Sequence, residues 1–237
     1  MRYVLILVVG LLAGCAAPPG PVVMSPSSGP GGPASGPTSG PRAIPPSFAE
    51  VVARVEPVAE RVCLTETRNV NCNFEIVVKR GANETPNAYQ SLTPSGQPVL
   101  TVTSTLINDM DNPDELAFVL SHEAAHHIQG HLARQEENAA AGAVIFAGLA
   151  SLTGGSQADI QTALELGAAV GARSYSKDFE LEADALGTVI AYYAGYDPMR
   201  GAEYFARLPD PGNRFLGTHP PNAARVETVR RTLAAIR

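Results

Sequence analysis

Tryptophan is absent from these 237 residues, and tyrosine and phenylalanine contribute only seven each. So thin an aromatic content argues against a site that stacks sugar rings. Basic residues are outnumbered, 17 Lys and Arg against 23 Asp and Glu, and form no cluster; the formal net charge is -6. An acidic chain without a basic patch is not built to hold nucleic acid. No segment recurs with a period of 20–50 residues, which removes the helical-repeat platforms. The two most apolar runs, residues 4–12 and 139–152, are both shorter than the roughly 20 residues a transmembrane helix needs. Cysteine is scarce too, with three in the chain.

What is present begins with a targeting pattern. Arg2 precedes the apolar run, and the run ends in Leu12-Ala13-Gly14-Cys15. A charged start, a short apolar stretch and small residues before a cut site describe an export signal. The placement of the cysteine resembles the lipobox of bacterial lipoproteins, which implies cleavage after residue 14 and lipidation of Cys15. Ala16, in place of an acidic residue, implies outer-membrane sorting on the periplasmic side. Loss of Arg2 with the signal would take the net charge from -6 to about -7. Ten of the 20 prolines fall in residues 17–46, among Gly, Ser and Ala. Such a composition cannot bury enough apolar area to offset its ordering entropy. Residues 15–46 therefore read as a tether, reaching roughly 30 Å as a coil and about 90 Å if fully extended as polyproline II. Cys63 and Cys72 remain, and in an exported chain they are expected to form a disulfide.

Residues 47–237 suit one domain. A helix is expected over 47–63, and strands over 74–79, 87–92 and 99–105, with Pro94-Ser95-Gly96 turning between the last two. Helices are expected over 113–137, 139–152, 158–172, 177–194, 199–207 and 221–236. The run at 139–152 is apolar nearly all round, which suits either membrane association or a buried core helix; its shortness and the interruptions at Gly142 and Gly148 favour the core helix. A small antiparallel sheet followed by a helical body is an α+β arrangement.

The chemistry concentrates in His122-Glu123-Ala124-Ala125-His126. Asn112 is a candidate N-cap and Pro113 a candidate first residue of the helix that carries it. Two imidazoles four residues apart share a helix face and can hold one zinc ion. Glu123 is offset beside them, placed to take a proton from a water held there. A catalytic zinc site wants one more protein ligand. On the segment 177–184, Glu180 and Asp184 share a face one turn apart, while Glu182 points roughly the other way. Glu180 can be the ligand, and Asp184 can hold the far nitrogen of a liganding imidazole. The same acids could equally be a solvated helix face.

The chain resembles the M48 metallopeptidases, a gluzincin-type group of zinc endopeptidases. The likeness extends over Pro86-Asn87-Ala88-Tyr89, the segment 99–106, the stretch 122–131, Tyr175-Ser176, the E-x-x-x-D element 180–184, Ala194-Gly195-Tyr196-Asp197-Pro198, and Thr218-His219-Pro220-Pro221 with Arg225. It implies that one Zn2+ is bound by His122, His126 and Glu180, with Glu123 as general base and acid and Asp184 supporting a ligand from behind. The strand with Asn87, Ala88 and Tyr89 would take extended polypeptide by β-addition. His219 would reach the zinc centre, as an oxyanion donor or as a ligand closing the resting site, and Arg225 would form an ion pair nearby. His127 and His131 lie at the wrong angles for ligands and read as structural. The expected function is a lipid-anchored endopeptidase of unfolded or misassembled envelope proteins. The rival is a zinc-stabilised chaperone or assembly factor whose protease activity is low or self-inhibited.

Overall fold

The structure, a computed structural model, describes residues 46–81, 84–212 and 219–237. The signal, Cys15 and nearly all of the tether lie outside the described residues.

The chain opens with α1 (Pro46–Glu66). Val51, Val55, Val58, Ala59 and Cys63 recur at helical spacing and are all buried, so one stripe of α1 faces the core. Cys63 is bridged to Cys72 with 5.7 Å between Cα atoms, as expected. Closing nine residues in this way contributes roughly 2.5 kcal/mol by restricting the unfolded chain.

Three strands follow: β1 (Glu75–Lys79), β2 (Ala88–Leu92) and β3 (Pro98–Thr103). Their order is β1-β3-β2. β2 and β3 form an antiparallel hairpin, Ala88 opposite Val102, turned at Gly96 with φ +80°. β1 runs parallel to β3, so the sheet is mixed where an antiparallel one was expected. Burial explains the order. Leu100 and Val102 of β3 are almost wholly buried, whereas β1 and β2 are half covered, so the most apolar strand takes the centre. Among the described residues no strand pairs with the outer edge of β2.

The helical body is α2 (Ser104–Asp109), α3 (Pro113–Ile128), α4 (His131–Leu152), α5 (Gln157–Ser174), α6 (Ser176–Tyr193), α7 (Pro198–Arg207) and α8 (Asn222–Ile236). The short α2, capped by Thr103, was not anticipated. α3 starts where expected: Asn112 accepts hydrogen bonds from the backbone N–H groups of Asp114 and Glu115. It ends sooner than expected. Gly130 sits at φ +67°, a left-handed conformation that glycine adopts without strain, and the chain re-enters helix at His131. One core unites Leu116 and Leu120 of α3 with Ile190 of α6, Val55 of α1 and Leu100.

α4 departs furthest from expectation. Instead of being buried, its side chains are largely exposed, with only His131 buried. Its main packing partner is α5, and the two make a helical hairpin between α3 and α6. An apolar composition alone does not bury a helix; a partner surface has to be present, and here it is another helix presenting glycine.

Candidate metal centre

α3 and α6 meet at a glycine. A Cβ on Gly187 would lie 3.0 Å from the backbone N of His122 and 3.1 Å from its Cα, so the acidic helix docks directly against the histidine helix. The result brings His122, His126 and Glu180 together, with one potential ligand atom from each lying within 4.8 Å of the others. His126 Nε2 is 3.0 Å from His122 Nε2 and 3.4 Å from Glu180 Oε1; His122 Nε2 is 3.6 Å from Glu180 Oε2.

Each imidazole is held from behind through its other nitrogen. Asp184 Oδ1 accepts from His122 Nδ1 at 2.9 Å. Asp184 is fully buried and also accepts from Arg225 Nε at 2.8 Å and Nη2 at 2.7 Å. The Arg225 guanidinium lies 3.7 Å over the Phe205 ring. His126 Nδ1 lies 2.7 Å from His131 Nδ1, and His131 Nε2 lies 3.1 Å from Glu182 Oε2. The carboxylate can only accept, so neutral His131 donates from Nε2 and accepts at Nδ1, which makes His126 the donor. Arg134 completes this second chain on Glu182 at 2.6 Å. Both Nδ1 atoms are thereby protonated, which leaves Nε2, the nitrogen turned towards Glu180, as the atom at which a metal would replace a proton. That is the tautomer a metal ligand needs. Two imidazole nitrogens and a carboxylate, with the imidazoles fixed in this way, fit a zinc-type ion.

The charge balance agrees. Burial would lower the His122 imidazole, but its hydrogen bonds to Asp184 and Glu180 push it up to about 10. Burial would raise Glu180, yet hydrogen bonds from His122, His126 and His219 hold it well below the usual carboxylate range. Burial would likewise raise Asp184, and Arg225 and His122 hold it down. The pocket stabilises its carboxylates as anions and favours positive charge between them.

The other anticipated residues fall as follows. Glu123 is half-buried and faces a cleft of about 410 Å³, whose walls also carry Asn87, Ala88, Tyr89 and His219. His219, more than half exposed, places Nδ1 3.2 Å from Glu180 Oε2. The free edge of the sheet forms part of one wall. Asn87 pairs with Thr103 through the carbonyl that accepts the Thr103 N–H at 2.9 Å. Alternation along an antiparallel pair then turns the backbone groups of Ala88 and Gln90 away from β3. Cys63 and Cys72 stand outside the cleft. His127 does too; its Nε2 lies 2.7 Å from the Asn71 carbonyl oxygen inside the disulfide loop.

Some contributors were not anticipated. His131 supports His126, Glu182 and Arg134 support His131, and Gln90, Leu132 and Phe179 help line the cleft. His131 was visible as the last residue of the 122–131 stretch. Its angle on a continuous helix placed it off the site, and the turn at Gly130 brings it back.

The sequence pattern of Peptidase family M48 matches residues 46–233, nearly the whole described domain, and the chain belongs to that family. It is a metallopeptidase by that membership, with His122, His126 and Glu180 as a cluster able to hold the metal. Among similar proteins are two named beta-barrel assembly-enhancing protease. The one from Escherichia coli O157:H7 is 31% identical over 149 residues, 54% of this chain and 29% of the relative. The one from Yersinia pestis is 30% identical over the same shares. The match thus spans less than a third of the length of these relatives.

Proposed function

We propose that the protein is a zinc endopeptidase of the bacterial envelope, attached to the periplasmic face of the outer membrane through lipidated Cys15 and acting on unfolded or misassembled polypeptides. The observation that carries this reading is the convergence of His122, His126 and Glu180 at the wall of an open cleft bordered by a free strand edge. Zinc held there supplies a Lewis acid that polarises the scissile carbonyl and makes water acidic enough to serve as nucleophile near neutral pH. The residues around it do the rest. Ala88 and Gln90 offer backbone groups to an extended peptide, which adds as a strand beside β2. Glu123 accepts the proton of the attacking water and delivers it to the leaving amine. Asp184 and His131 keep both imidazoles in one tautomer, and Arg225 holds Asp184 ionised. The names of the relatives join proteolysis with assembly of β-barrel proteins, and misassembled barrels are a fitting substrate class for an enzyme that reads strand edges.

A second reading has one observation behind it. His219 already contacts the carboxylate of Glu180, which suits a resting state closed by that histidine, with the protein working mainly as an assembly factor. The deciding experiment compares the full chain with its Glu123→Gln variant on an unfolded protein, with and without a zinc chelator. Cleavage by the wild type alone, lost on chelation and restored by zinc, with a rate drop of about 10²–10⁴ in the variant, supports the protease. Equal cleavage by both proteins would refute the role of Glu123. No cleavage by either, with zinc bound, would favour the assembly reading, and His219→Ala would then be expected to gain activity.

A further inference from the structure

The hairpin of α4 and α5 is built inside out. Its helices touch through glycine: a Cβ on Gly142 would sit 2.1 Å from the Gly167 carbonyl oxygen, and one on Gly171 would sit 2.0 Å from that of Asn138. Backbones this close leave no room between them for large side chains. The large apolar residues point outward instead. Val144, Ile145, Leu149 and Leu152 of α4 are 73%, 59%, 57% and 86% exposed, and Leu166 of α5 is 55% exposed. A hairpin built for water would reverse this, with leucine between the helices and small or polar residues outside. Small residues between helices and large apolar ones outside is the arrangement used where the surroundings are hydrocarbon.

Charge follows the same division. No Asp, Glu, Lys or Arg occurs from residue 138 to 158, so the far end of α4 and the Gly154-Gly155 turn are uncharged; the first charge of α5 is Asp159, in its first turn, where Ser156 donates to its carboxylate. Arg134, Glu136, Glu137 and Arg173 lie at the other end, next to the body, and Glu165 lies midway along α5. We infer that the uncharged far half of α4 inserts its exposed Val, Ile and Leu side chains into the bilayer surface, with Asp159 at the level of the headgroups, as a second membrane contact beside the lipid. The inference rests on the anchor reading for the nearness of the bilayer: a tether with a coil reach of roughly 30 Å would let the domain touch the membrane. The insertion is shallow. Among the described residues no helix is long and apolar enough to cross a membrane, and residues 138–152 cover only about 22 Å, enough to enter one leaflet. With no basic residue at this end and Asp159 beside it, the contact is apolar, needs no anionic lipid, and on a neutral bilayer does not depend on salt.

The absence of tryptophan provides the test. Leu152→Trp, at an exposed position, makes a single-tryptophan protein, and Leu149→Trp is a second. Each is prepared as the full processed chain and mixed with neutral phosphatidylcholine vesicles whose acyl chains carry bromine. Insertion gives a blue-shifted emission and loss of intensity to the bromine, unchanged by added salt; Leu64→Trp, exposed on α1, shows neither. Emission that stays at its aqueous position for both hairpin variants overturns the inference. So does a shift that appears without vesicles and grows with protein concentration, which would indicate a second copy of the chain. The mass of the mature protein separates the two ideas. Unmodified Cys15 with quenched hairpin tryptophan refutes the anchor alone, whereas acylated Cys15 with unquenched tryptophan refutes the hairpin contact alone.

Discussion

Asp184→Asn is the most informative single change available in this protein. The amide has the shape of the carboxylate and lacks its charge. Asp184 is fully buried and accepts three hydrogen bonds, two from Arg225 and one from His122. Asparagine can place its one carbonyl where Oδ1 now receives Arg225 Nη2 and His122 Nδ1. Its NH₂ then faces Arg225 Nε, a donor against a donor. Arg225 is 8% exposed and keeps its charge, with Glu180 Oε2 at 3.7 Å as its nearest remaining anion among the described residues. Removing one partner of a buried pair costs about 3–5 kcal/mol, and the presence of Glu180 sets the expectation at the lower end, about 3 kcal/mol. For a domain of this size that is a fall in Tm of roughly 6–12 °C. The loss of support behind His122 should also weaken zinc binding by about 10–100-fold. Calorimetry of the chelator-treated protein reads the first effect, and competitive zinc titration reads the second. Asp178→Asn, an exposed acid on the same helix, should stay within about 0.5 kcal/mol of wild type. A Tm within 2 °C or so of wild type, with unchanged zinc affinity, would refute the claim that Asp184 is the ionised partner of both groups.

Two further outcomes follow from the same geometry. Burial, with His126 and Arg134 nearby, lowers the His131 imidazole to about 4 despite its hydrogen bond to Glu182. A base whose folded value is depressed contributes stability in full above its unfolded value near 6.5, and that contribution is lost as pH falls towards 4, up to about 3 kcal/mol; melting curves across this window should show the loss, and His131→Gln should flatten it. Arg207→Ala strips the counter-charge from Glu115, which is fully buried and held at 2.5 and 2.7 Å; because Arg207 is itself about a third exposed and water can replace it in part, the expected cost is about 2–3 kcal/mol in a denaturant titration, and a cost below about 0.5 kcal/mol would show that Glu115 does not depend on it.

Legibility in the sequence followed range. The start of α3 was plain because the Asn112 cap, Pro113 and the acids of the first turn all act within four residues. The spacing of His122 and His126 was equally local. Glu180 and Asp184 were legible as a pair on one face, and the resemblance assigned them roles, but their arrival at the histidines depends on Gly187, whose missing side chain lets α6 approach. Nothing in β1 alone marks it as parallel to β3; burial accounts for the central place of β3 and leaves the direction of its neighbour open. The break at Gly130 was readable as a glycine stop, yet the apolar spacing runs on through it and conceals the stop. The hairpin is not legible from composition, because small and apolar residues signal burial only where a neighbouring helix touches them.

The turn at Gly130 gives the hairpin a mechanical meaning. His131 is both the first residue of α4 and the group that holds the Nδ1 of His126. α4 is a rod about 33 Å long, packed against α5 with close glycine contacts at residues 138–142, and its near end is a hydrogen-bond partner of a metal-facing imidazole. Moving the tip sideways by about 5 Å tilts the rod by about 9°, and that rotation is delivered to the 2.7 Å contact between His131 and His126. A load on the outermost leucines is therefore transmitted as torque to the residue on which the orientation of His126 depends.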